Sequence, residues 1–309
     1  MRVRVRVPAT SANLGPGFDV LGLALALHNE VMLEEAQGVS VTVEGEGAGR
    51  LDTGPDNVVA RGVRMAFEAA GRPFRGVRLA CLNRIPTSRG LGSSAAAWVA
   101  GLVGGNALLG APLDRDTVLR LAATAEGHPD NVTATLLGGL TVSCWTGDRV
   151  AAVSLPVRPD LSWVVLVPEV EGSTAEARAA LPDGYARADA VFNLQRVSLL
   201  LAALATGRSD LLGVAMEDRL HQPYRFKLFP WLAEVIPAAA RAGALACALS
   251  GAGPSVLAVN QGPGDDVGRA MEEALRRAGL AGRALRLAVD TTGTTVERVG
   301  RPGARVQET

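Results

Sequence analysis

The run from Pro86 to Ala96 has the residue types best suited to chemistry. It reads Pro-Thr-Ser-Arg-Gly-Leu-Gly-Ser-Ser-Ala-Ala, so two glycines are followed by two serines and then by a helical pattern. Glycines let the backbone turn tightly and expose its amides, and successive amides at a helix N-terminus bind anions without a lysine. The hydroxyl of Ser93 or Ser94 can cap the helix, bind a phosphate oxygen or ligate magnesium. The run predicts a phosphate-binding loop, with a capped loop-to-helix junction as the alternative.

Other phosphate-binding motifs fit this chain less well. The spacing Gly90-x-Gly92-x-x-Ala95 matches the short form of the dinucleotide fingerprint, but there the glycines follow a strand directly, whereas Pro86–Arg89 intervenes here. Lys227 is the only lysine in 309 residues, and no glycine-rich loop lies next to it. A Walker loop and the strand lysine of protein kinases are therefore excluded.

A second polar stretch, Glu126–Val132, follows a predicted helix and reads Glu-Gly-His-Pro-Asp-Asn-Val. A glutamate near a helix C-terminus is misplaced for the helix dipole, which favours a functional role for Glu126, such as holding a metal ion. His128 lies between a glycine and a proline in a predicted loop, so a purely structural role is less expected for it. His28 and His221 are predicted to be structural.

The composition narrows the class of protein. The 31 Lys and Arg residues balance 31 Asp and Glu residues, and the pI is near 6.9. A neutral chain lacks the basic excess of a nucleic-acid binder or of a protein that binds anionic membranes. Hydrophobic residues make up 48% and charged residues 20%, which excludes disorder, and the length suits two domains. Cys81, Cys144 and Cys247 are scattered and predict reduced core residues, not disulfides or a zinc site.

The elements that must position these residues are predicted to form two α+β units. Residues 1–8 alternate as a strand with one buried face and lack an apolar signal core. The run 93–109 is apolar nearly all round, which predicts a buried helix. Further strands are predicted over 39–43, 77–82, 140–144, 149–155, 163–167, 245–249, 256–259 and 284–289, and further helices over 57–70, 114–125, 173–180, 186–205, 231–242 and 264–278.

The segment Pro156–Asp160 is the predicted domain boundary because it is rich in proline, giving domains 1–157 and 158–309. The longest apolar stretches, 199–204 and 238–249, are too short or too interrupted to span a bilayer. These features predict a cytoplasmic protein that binds neither membranes nor nucleic acid.

Three strings together resemble a known family. They are Pro86–Ala96, the N-terminal Pro8–Asp19 (Pro-Ala-Thr-Ser-Ala-Asn-Leu-Gly-Pro-Gly-Phe-Asp) and Leu249–Ser255 (Leu-Ser-Gly-Ala-Gly-Pro-Ser). In this order they are similar to the motifs of the small-metabolite kinases named for galactokinase, homoserine kinase, mevalonate kinase and phosphomevalonate kinase. The N-terminal string and Glu126–Val132 resemble the homoserine kinase branch in particular, and the resemblance extends from Val3 to about Val289.

The resemblance implies a fold and a nucleotide site. It implies an N-terminal domain like the second domain of ribosomal protein S5 and a C-terminal ferredoxin-like α/β sandwich. ATP would lie in the cleft between them, with Mg²⁺ held by Glu126 and by Ser94 or Ser93. The implied ATP- and phosphate-binding residues are Pro86, Ser88, Arg89, Gly90, Leu91, Gly92, Ser93, Ser94 and Ala95. The family is commonly dimeric, so a homodimer is expected.

The resemblance also implies transfer of the ATP γ-phosphoryl group to the hydroxyl of L-homoserine, for threonine biosynthesis. Arginine suits a carboxylate because it donates two parallel hydrogen bonds, and an ionised Asp accepts from an ammonium group. The implied substrate-binding residues are Asn13, Asp19, His128, Arg178, Arg225 and Gly253, and the implied catalytic residues are Asp19, Asn131 and Glu126. Asp19 is the one carboxylate available as a base, but binding is its first expected role. The alternatives are a mevalonate or shikimate kinase and an inactive nucleotide- or RNA-binding protein on the same fold.

Overall fold

A computed structural model describes residues 1–299 of the chain. The strands are β1 (Arg2–Asn13), β2 (Gly17–Glu35), β3 (Gly38–Gly45), β4 (Gly76–Asn83), β5 (Leu140–Thr146), β6 (Arg149–Leu155), β7 (Leu161–Pro168), β8 (Ala246–Leu249), β9 (Val256–Gln261), β10 (Gly282–Leu287) and β11 (Thr295–Val299). The helices are α1 (Val58–Ala69), α2 (Ser93–Leu108), α3 (Arg115–Glu126), α4 (Asp130–Leu137), α5 (Thr174–Ala179), α6 (Arg187–Thr206), α7 (Leu212–Ala215), α8 (Gln222–Arg225), α9 (Leu232–Arg241) and α10 (Asp265–Arg277), with one 3₁₀ turn at Ser209–Leu211.

The first sheet has seven strands. Its main path runs β11-β1-β2-β4-β3, and β5 joins β2 and carries β6. β3 and β4 are parallel and are connected by α1, while the other pairs are antiparallel. In β1 the valines Val3, Val5 and Val7 are buried and the arginines between them are not, as the alternation predicts.

The helices of the first unit cover one face of this sheet. α2 is central, since eleven of its sixteen residues are buried and it packs against α1, α3 and β1. Its glycines allow close contact with α1: a Cβ on Gly101 would lie 2.3 Å from the Val59 carbonyl oxygen. The predicted buried helix is confirmed, and close packing on several sides holds α2 in place.

The second sheet has the order β10-β7-β9-β8, and all its pairs are antiparallel. Because β7 leads through helices to β8 and β9, and α10 connects β9 to β10, this is the strand order of a ferredoxin-like sandwich. Val164 and Leu166 of β7 pack on α9 and α10, whereas Trp163 and Val165 belong to the large core that contains the first sheet. The α+β prediction is confirmed.

The sequence patterns did not predict β2, α4, β11 or the one-turn helices α7 and α8. β2 alternates large and small apolar residues, and because all of Leu21–Leu25 is buried it lacks the apolar–polar alternation of an ordinary strand. α4 begins within the predicted loop at Asp130. β11 pairs with β1 in the first sheet, although the predicted division placed it in the second domain. The division near residue 157 otherwise falls between β6 and β7.

One cysteine prediction is wrong. Cys81 is buried and Cys247 is partly buried, but Cys144 is exposed, because it points outward from the β5–β6 hairpin. Burial raises the pKa of Cys81 to about 11 and that of Cys247 to about 12, so both thiols stay protonated at neutral pH.

Candidate active site

A cleft of about 570 Å³ lies between the two units. The first unit contributes the loop that starts β2, the residues from Ser88 to Ser94, and the region from Glu126 to Asn131. The second unit contributes Glu171–Arg178, Arg225 and the turn at Gly251 and Ala252. Nearly all charged side chains singled out in the sequence therefore meet in one cavity.

The 86–95 loop presents a helix end to this cleft. Gly92 precedes α2 with φ 68°, and within residues 1–299 no side chain caps the first turn. The capped-junction alternative is thus not what the chain forms, and the first amides of α2 are left for an anion. A Cβ on Gly92 would lie 2.0 Å from Thr10 Oγ1 and 3.1 Å from Asn131 Oδ1, so only glycine fits at this position.

The second unit holds the loop in place through its backbone. Ser250 Oγ donates to the Gly90 carbonyl (2.7 Å), and the Ser255 amide donates to the Arg89 carbonyl (3.2 Å). The Arg89 side chain donates to the carbonyls of Thr87, Pro168 and Glu169. The guanidinium of Arg89 therefore ties the loop to β7, which leaves the loop amides to face the cleft.

Ser94 and Glu126 bring two hard oxygens together beside the start of α2. Ser94 Oγ donates to Glu126 Oε2 at 2.7 Å, so Ser94, not Ser93, makes this contact. Burial raises the pKa of Glu126, and the hydrogen bond from Ser94 only partly offsets this. A carboxylate and a hydroxyl oxygen this close together are the kind of hard ligands that a divalent cation takes.

The residues after Glu126 form a fixed hydrogen-bonded group. His128 Nδ1 and the Asn131 amide both contact Asp130 Oδ1, at 2.5 and 2.7 Å, and Thr10 Oγ1 donates to Asn131 Oδ1 at 2.7 Å. Burial disfavours the charged imidazole, but the hydrogen bond and charge of Asp130 outweigh it and raise the pKa of His128. Asn131 is thereby fixed between β1 and the loop at Gly92.

An ion pair crosses the cleft from the first unit to the second. Arg178 Nη2 and Nη1 donate to Asp19 Oδ1 and Oδ2 at 2.8 and 3.1 Å. The Asp19 amide in turn donates to Asn13 Oδ1 at 3.1 Å, and both of these residues adopt positive φ, 57° and 72°. Positive φ is costly outside glycine and is concentrated at functional sites, so this backbone is shaped to present Asp19.

Arg225 supplies the second guanidinium. It is 2% exposed, and it donates from Nε to the Ala177 carbonyl (3.3 Å) and from Nη1 to the Gly251 carbonyl (3.0 Å). Phe18 lies between the two arginines, with its ring centroid 5.2 Å from Arg225 Cζ and 5.6 Å from Arg178 Cζ. Burial and the nearby charge of Arg178 lower the pKa of Arg225, so this site favours an anion that neutralises both cations.

Most of the implied site residues lie in the cleft, but three do not line it. Pro86, Ala95 and Gly253 support it from behind, while Gly251 and Ala252 form the wall where Gly253 was expected. Sequence reasoning missed Thr10 and Phe18, although both lie in the Pro8–Asp19 string, and it missed the contact between Ser250 and Gly90.

A second cavity of about 250 Å³ shares Ser88, Ser93 and Ser94 with the cleft. Its walls are largely apolar, with Val31 and Val58 among them. Asn57, Asp52 and Asn83 add polar groups to its lining. A long ligand with a polar chain and a flat apolar end could occupy both cavities at once.

Comparison with known proteins adds sequence and structural relatives. Residues 57–139 match the model of the GHMP kinases N terminal domain, and residues 200–278 match that of the GHMP kinases C terminal domain. The chain is 49% identical to the homoserine kinase of Moorella thermoacetica, over 89% of this chain and 93% of that one. It is 46% identical to the homoserine kinase of Carboxydothermus hydrogenoformans, over 90% of this chain and 91% of that one.

Among solved structures, the homoserine kinase of Cytophaga hutchinsonii superposes with a TM-score of 0.87 at 33% identity. The superposition covers 96% of this chain and 97% of that one, so it includes both units and the cleft between them. On these grounds the chain belongs to the GHMP kinases and, within them, to the homoserine kinase family.

Proposed function

We propose that this kinase transfers the γ-phosphoryl group of ATP to the hydroxyl of L-homoserine, giving O-phospho-L-homoserine for threonine biosynthesis. The observation that carries the proposal is the Arg178–Asp19 ion pair, which lies with Arg225 in the cleft that contains the start of α2. The homoserine kinases to which the chain is similar over more than nine-tenths of their length support the same substrate.

The ion pair is complementary to an α-amino acid. Such a substrate carries a carboxylate and an ammonium group on one carbon, so its two charges are as close as those of Arg178 and Asp19. Arg178 would exchange Asp19 for the substrate carboxylate, and Asp19 would accept from the ammonium group. Mevalonate and shikimate have a carboxylate but no ammonium group, so neither would give Asp19 a positive partner to replace Arg178.

The nucleotide would span both cavities. Its triphosphate would lie on the amides of Gly90–Ser94 at the positive end of α2, which explains how ATP is held without a lysine in the loop. Its adenosine would occupy the adjacent cavity, whose apolar side chains suit a flat base and whose polar groups suit a ribose.

Ser94 and Glu126 fit a magnesium ion. Mg²⁺ prefers oxygen ligands and is usually held by one or two protein groups together with substrate phosphates, and these two oxygens lie 2.7 Å apart beside the helix end. When bound, the cation would neutralise charge on the phosphates of ATP. Glu126 would supply the negative ligand in its ionised form.

The residues of the cleft would act mainly by positioning. The transition state of phosphoryl transfer is loose, so alignment and charge stabilisation contribute most of the rate. Arg178, Arg225 and Asp19 would fix the amino-acid end, and Asn131, held by Thr10, would lie close to the loop that carries the phosphates. The backbone amides of the 86–95 loop would stabilise charge on the transferred group.

The setting of the enzyme is proposed as a cytoplasmic homodimer. By length and composition α6 could cross a membrane, and 22% of its most apolar 18-residue stretch is buried. A single helix of this kind is weak evidence for a membrane span, because helices of soluble proteins can have the same length and composition. Val191 and Leu194 leave apolar surface exposed on α6, which suits contact with a second copy. Sedimentation equilibrium of the purified protein measures the oligomeric state.

The test is an ADP-release assay of the purified protein with ATP and Mg²⁺, run with L-homoserine, mevalonate or shikimate. We expect turnover with L-homoserine, and a phosphomonoester on its hydroxyl by ³¹P NMR. Turnover confined to mevalonate or shikimate would assign a different substrate, and ADP release that no acceptor stimulates would exclude the proposed function.

A matched pair of variants tests the ion pair. Arg178→Gln removes the guanidinium, and we expect the KM for L-homoserine to rise about 10- to 100-fold, the loss expected for a hydrogen bond to a charged group. Arg208 forms the same kind of pair with Asp210 (2.8 and 2.7 Å) on the surface, outside the cleft. Arg208→Gln should leave the KM unchanged; if both variants behave alike, the amino-acid site is misplaced.

A further inference from the structure

His221 has partners at both ring nitrogens. It is fully buried, its Nε2 lies 2.7 Å from the Gly15 carbonyl oxygen, and its Nδ1 lies 3.1 Å from Arg225 Nη1. The ring also stacks on Phe18, with 5.2 Å between centroids and 21° between planes. His221 therefore contacts Gly15 in the connection between β1 and β2, the Phe18 ring that lies between the two arginines, and Arg225 itself.

These partners determine the state of the imidazole. A carbonyl oxygen only accepts hydrogen bonds and a guanidinium only donates them. Nε2 must therefore carry the hydrogen and Nδ1 must be free of one, so His221 is the neutral Nε2–H tautomer. Burial lowers the pKa of His221, although Asp218 Oδ2, 3.5 Å from Nε2, opposes this. The charged groups that face His221 are Asp218, Arg225 and Asp19.

His221 Nδ1 is one of three acceptors that hold the Arg225 guanidinium. Nε donates to Ala177 and Nη1 donates to Gly251 and to His221, whereas Nη2 has no hydrogen-bond partner among residues 1–299. The guanidinium is planar, so fixing Nε and Nη1 also fixes the direction in which Nη2 faces.

Gly15 is equally restrained. It has φ 84°, and a Cβ at this position would lie 2.1 Å from the Met216 carbonyl oxygen. The loop between β1 and β2 is thus packed against the segment that precedes His221. The hydrogen bond between His221 Nε2 and the Gly15 carbonyl adds a second contact between this loop and the start of α8.

We propose that His221 is a positioning residue for substrate binding: its Nδ1 accepts a hydrogen bond from Arg225 Nη1 and so fixes the direction of the Arg225 guanidinium, while the bond to the Gly15 carbonyl selects the tautomer that leaves Nδ1 free to accept. The inference rests on the proposed function, since it takes Arg225 to bind the homoserine carboxylate. His221 does not line the cleft and acts through Arg225.

Two substitutions separate the two hydrogen bonds. In His221→Asn the side-chain oxygen can take the place of Nδ1, which keeps the acceptor for Arg225 and loses the bond to Gly15. In His221→Gln the amide nitrogen can reach the Gly15 carbonyl, which keeps that bond and leaves Arg225 Nη1 without this acceptor.

The measurement is the KM and kcat of the full-length enzyme for L-homoserine and for ATP. We expect His221→Gln to raise the KM for L-homoserine about 10- to 100-fold, as for a lost hydrogen bond to a charged group, with less than about threefold change in the KM for ATP. His221→Asn should raise the KM for L-homoserine by less than about fivefold, which amounts to a rescue by the variant that keeps the acceptor.

Several outcomes overturn the proposal. Equal increases in both KM values in His221→Gln, or an equal loss in the two variants, indicate a general packing role instead. If thermal unfolding shows that His221→Gln does not fold, His221→Asn decides: a KM for L-homoserine within fivefold of wild type supports the proposal and a larger rise contradicts it. Wild-type enzyme without homoserine turnover refutes the proposed function itself, before any variant is compared.

Discussion

Arg178 and Asp19 lie on opposite sides of the cleft and are joined by two hydrogen bonds of 2.8 and 3.1 Å. Each side chain satisfies the charge of the other. The hydrogen bond with Asp19 and the charge of that carboxylate outweigh burial and raise the pKa of Arg178. The pair links β2 to α5, so this contact joins the two units across the cleft.

Asp19→Asn separates binding from base catalysis. Asparagine keeps the size and one acceptor oxygen but loses the negative charge that would hold the ammonium group. We expect a KM for L-homoserine at least tenfold higher and a kcat reduced by less than about tenfold, because general-base catalysis usually contributes 10²–10⁴-fold. Steady-state kinetics with saturating ATP measure both constants. A kcat lower by more than a hundredfold at saturating L-homoserine would instead identify Asp19 as the base.

Glu126→Gln tests the magnesium site. Glutamine keeps the shape but removes the negative ligand beside Ser94, so we expect a higher half-saturating Mg²⁺ concentration and a kcat reduced by about 10-fold or more. The matched control is Glu176→Gln, since Glu176 also lines the cleft but has no hydrogen bond with Ser94. A magnesium titration that is identical in wild type and Glu126→Gln shows that the metal lies elsewhere.

The pH dependence of this site follows from the raised pKa of Glu126. Only the ionised carboxylate ligates a cation, so Mg²⁺ affinity should fall as the pH falls through a range that begins above the ordinary value of 4.5. In the metal-free protein the folded state holds the proton more tightly than the unfolded chain, so stability from this group is present at low pH and declines as the pH rises through the same range. Magnesium titrations at several pH values should show this dependence in wild type and not in Glu126→Gln.

Much of the site was predictable because its parts are local strings. The glycines and serines of Gly90–Ser94 and the loop position of His128 were singled out by their local residue pattern, and Arg178 and Arg225 by the family resemblance, and all of them line one cleft. α2 was predictable as well, because a helix that is apolar all round has to be buried.

What the sequence could not supply are contacts between distant parts of the chain. The bond from Ser250 to Gly90 joins residues 160 positions apart, and that from Arg178 to Asp19 joins residues 159 apart. No periodic pattern of residues in the sequence indicates such pairs. The same holds for β11, which follows the whole second unit in the chain and yet pairs with β1 at the N-terminus.

Gly90→Ala tests the contact between the 86–95 loop and the second unit. Gly90 has φ 74°, and an added Cβ would lie 2.3 Å from the Ser250 carbonyl oxygen, so the loop or the turn must move. We expect the KM for ATP to rise and kcat to fall by at least tenfold. Gly110→Ala is the control, because Gly110 has a similar φ of 86° but nothing within 4 Å of its Cβ. If both variants lose activity equally, backbone strain alone explains the effect.

Asp290→Asn tests a buried group outside the cleft. Arg6 Nη2 donates to His28 Nδ1 (3.0 Å), so His28 must carry its hydrogen on Nε2, which lies 2.5 Å from Asp290 Oδ2. The other oxygen, Oδ1, accepts from the amides of Thr292 and Gly293. An asparagine has one acceptor and one donor group, so whichever way it is turned a donor faces a donor.

The expected cost of Asp290→Asn is about 1–3 kcal/mol in the free energy of unfolding, as for a buried polar group left without a partner. Kinetic constants should stay at wild-type values because Asp290 does not line the cleft. Burial raises the pKa of Asp290, but the bonds from His28 and the two amides outweigh it and lower that pKa. Its contribution is therefore present above the ordinary pKa of 3.8 and is lost as the pH falls through the lower folded-state value. Urea unfolding at neutral and acid pH measures this contribution, and the substitution of an exposed residue, Asp266→Asn, is the control. Wild-type stability in Asp290→Asn would show that the pair with His28 contributes nothing. In that case β1 and β2 hold the segment before β11 by backbone contacts alone.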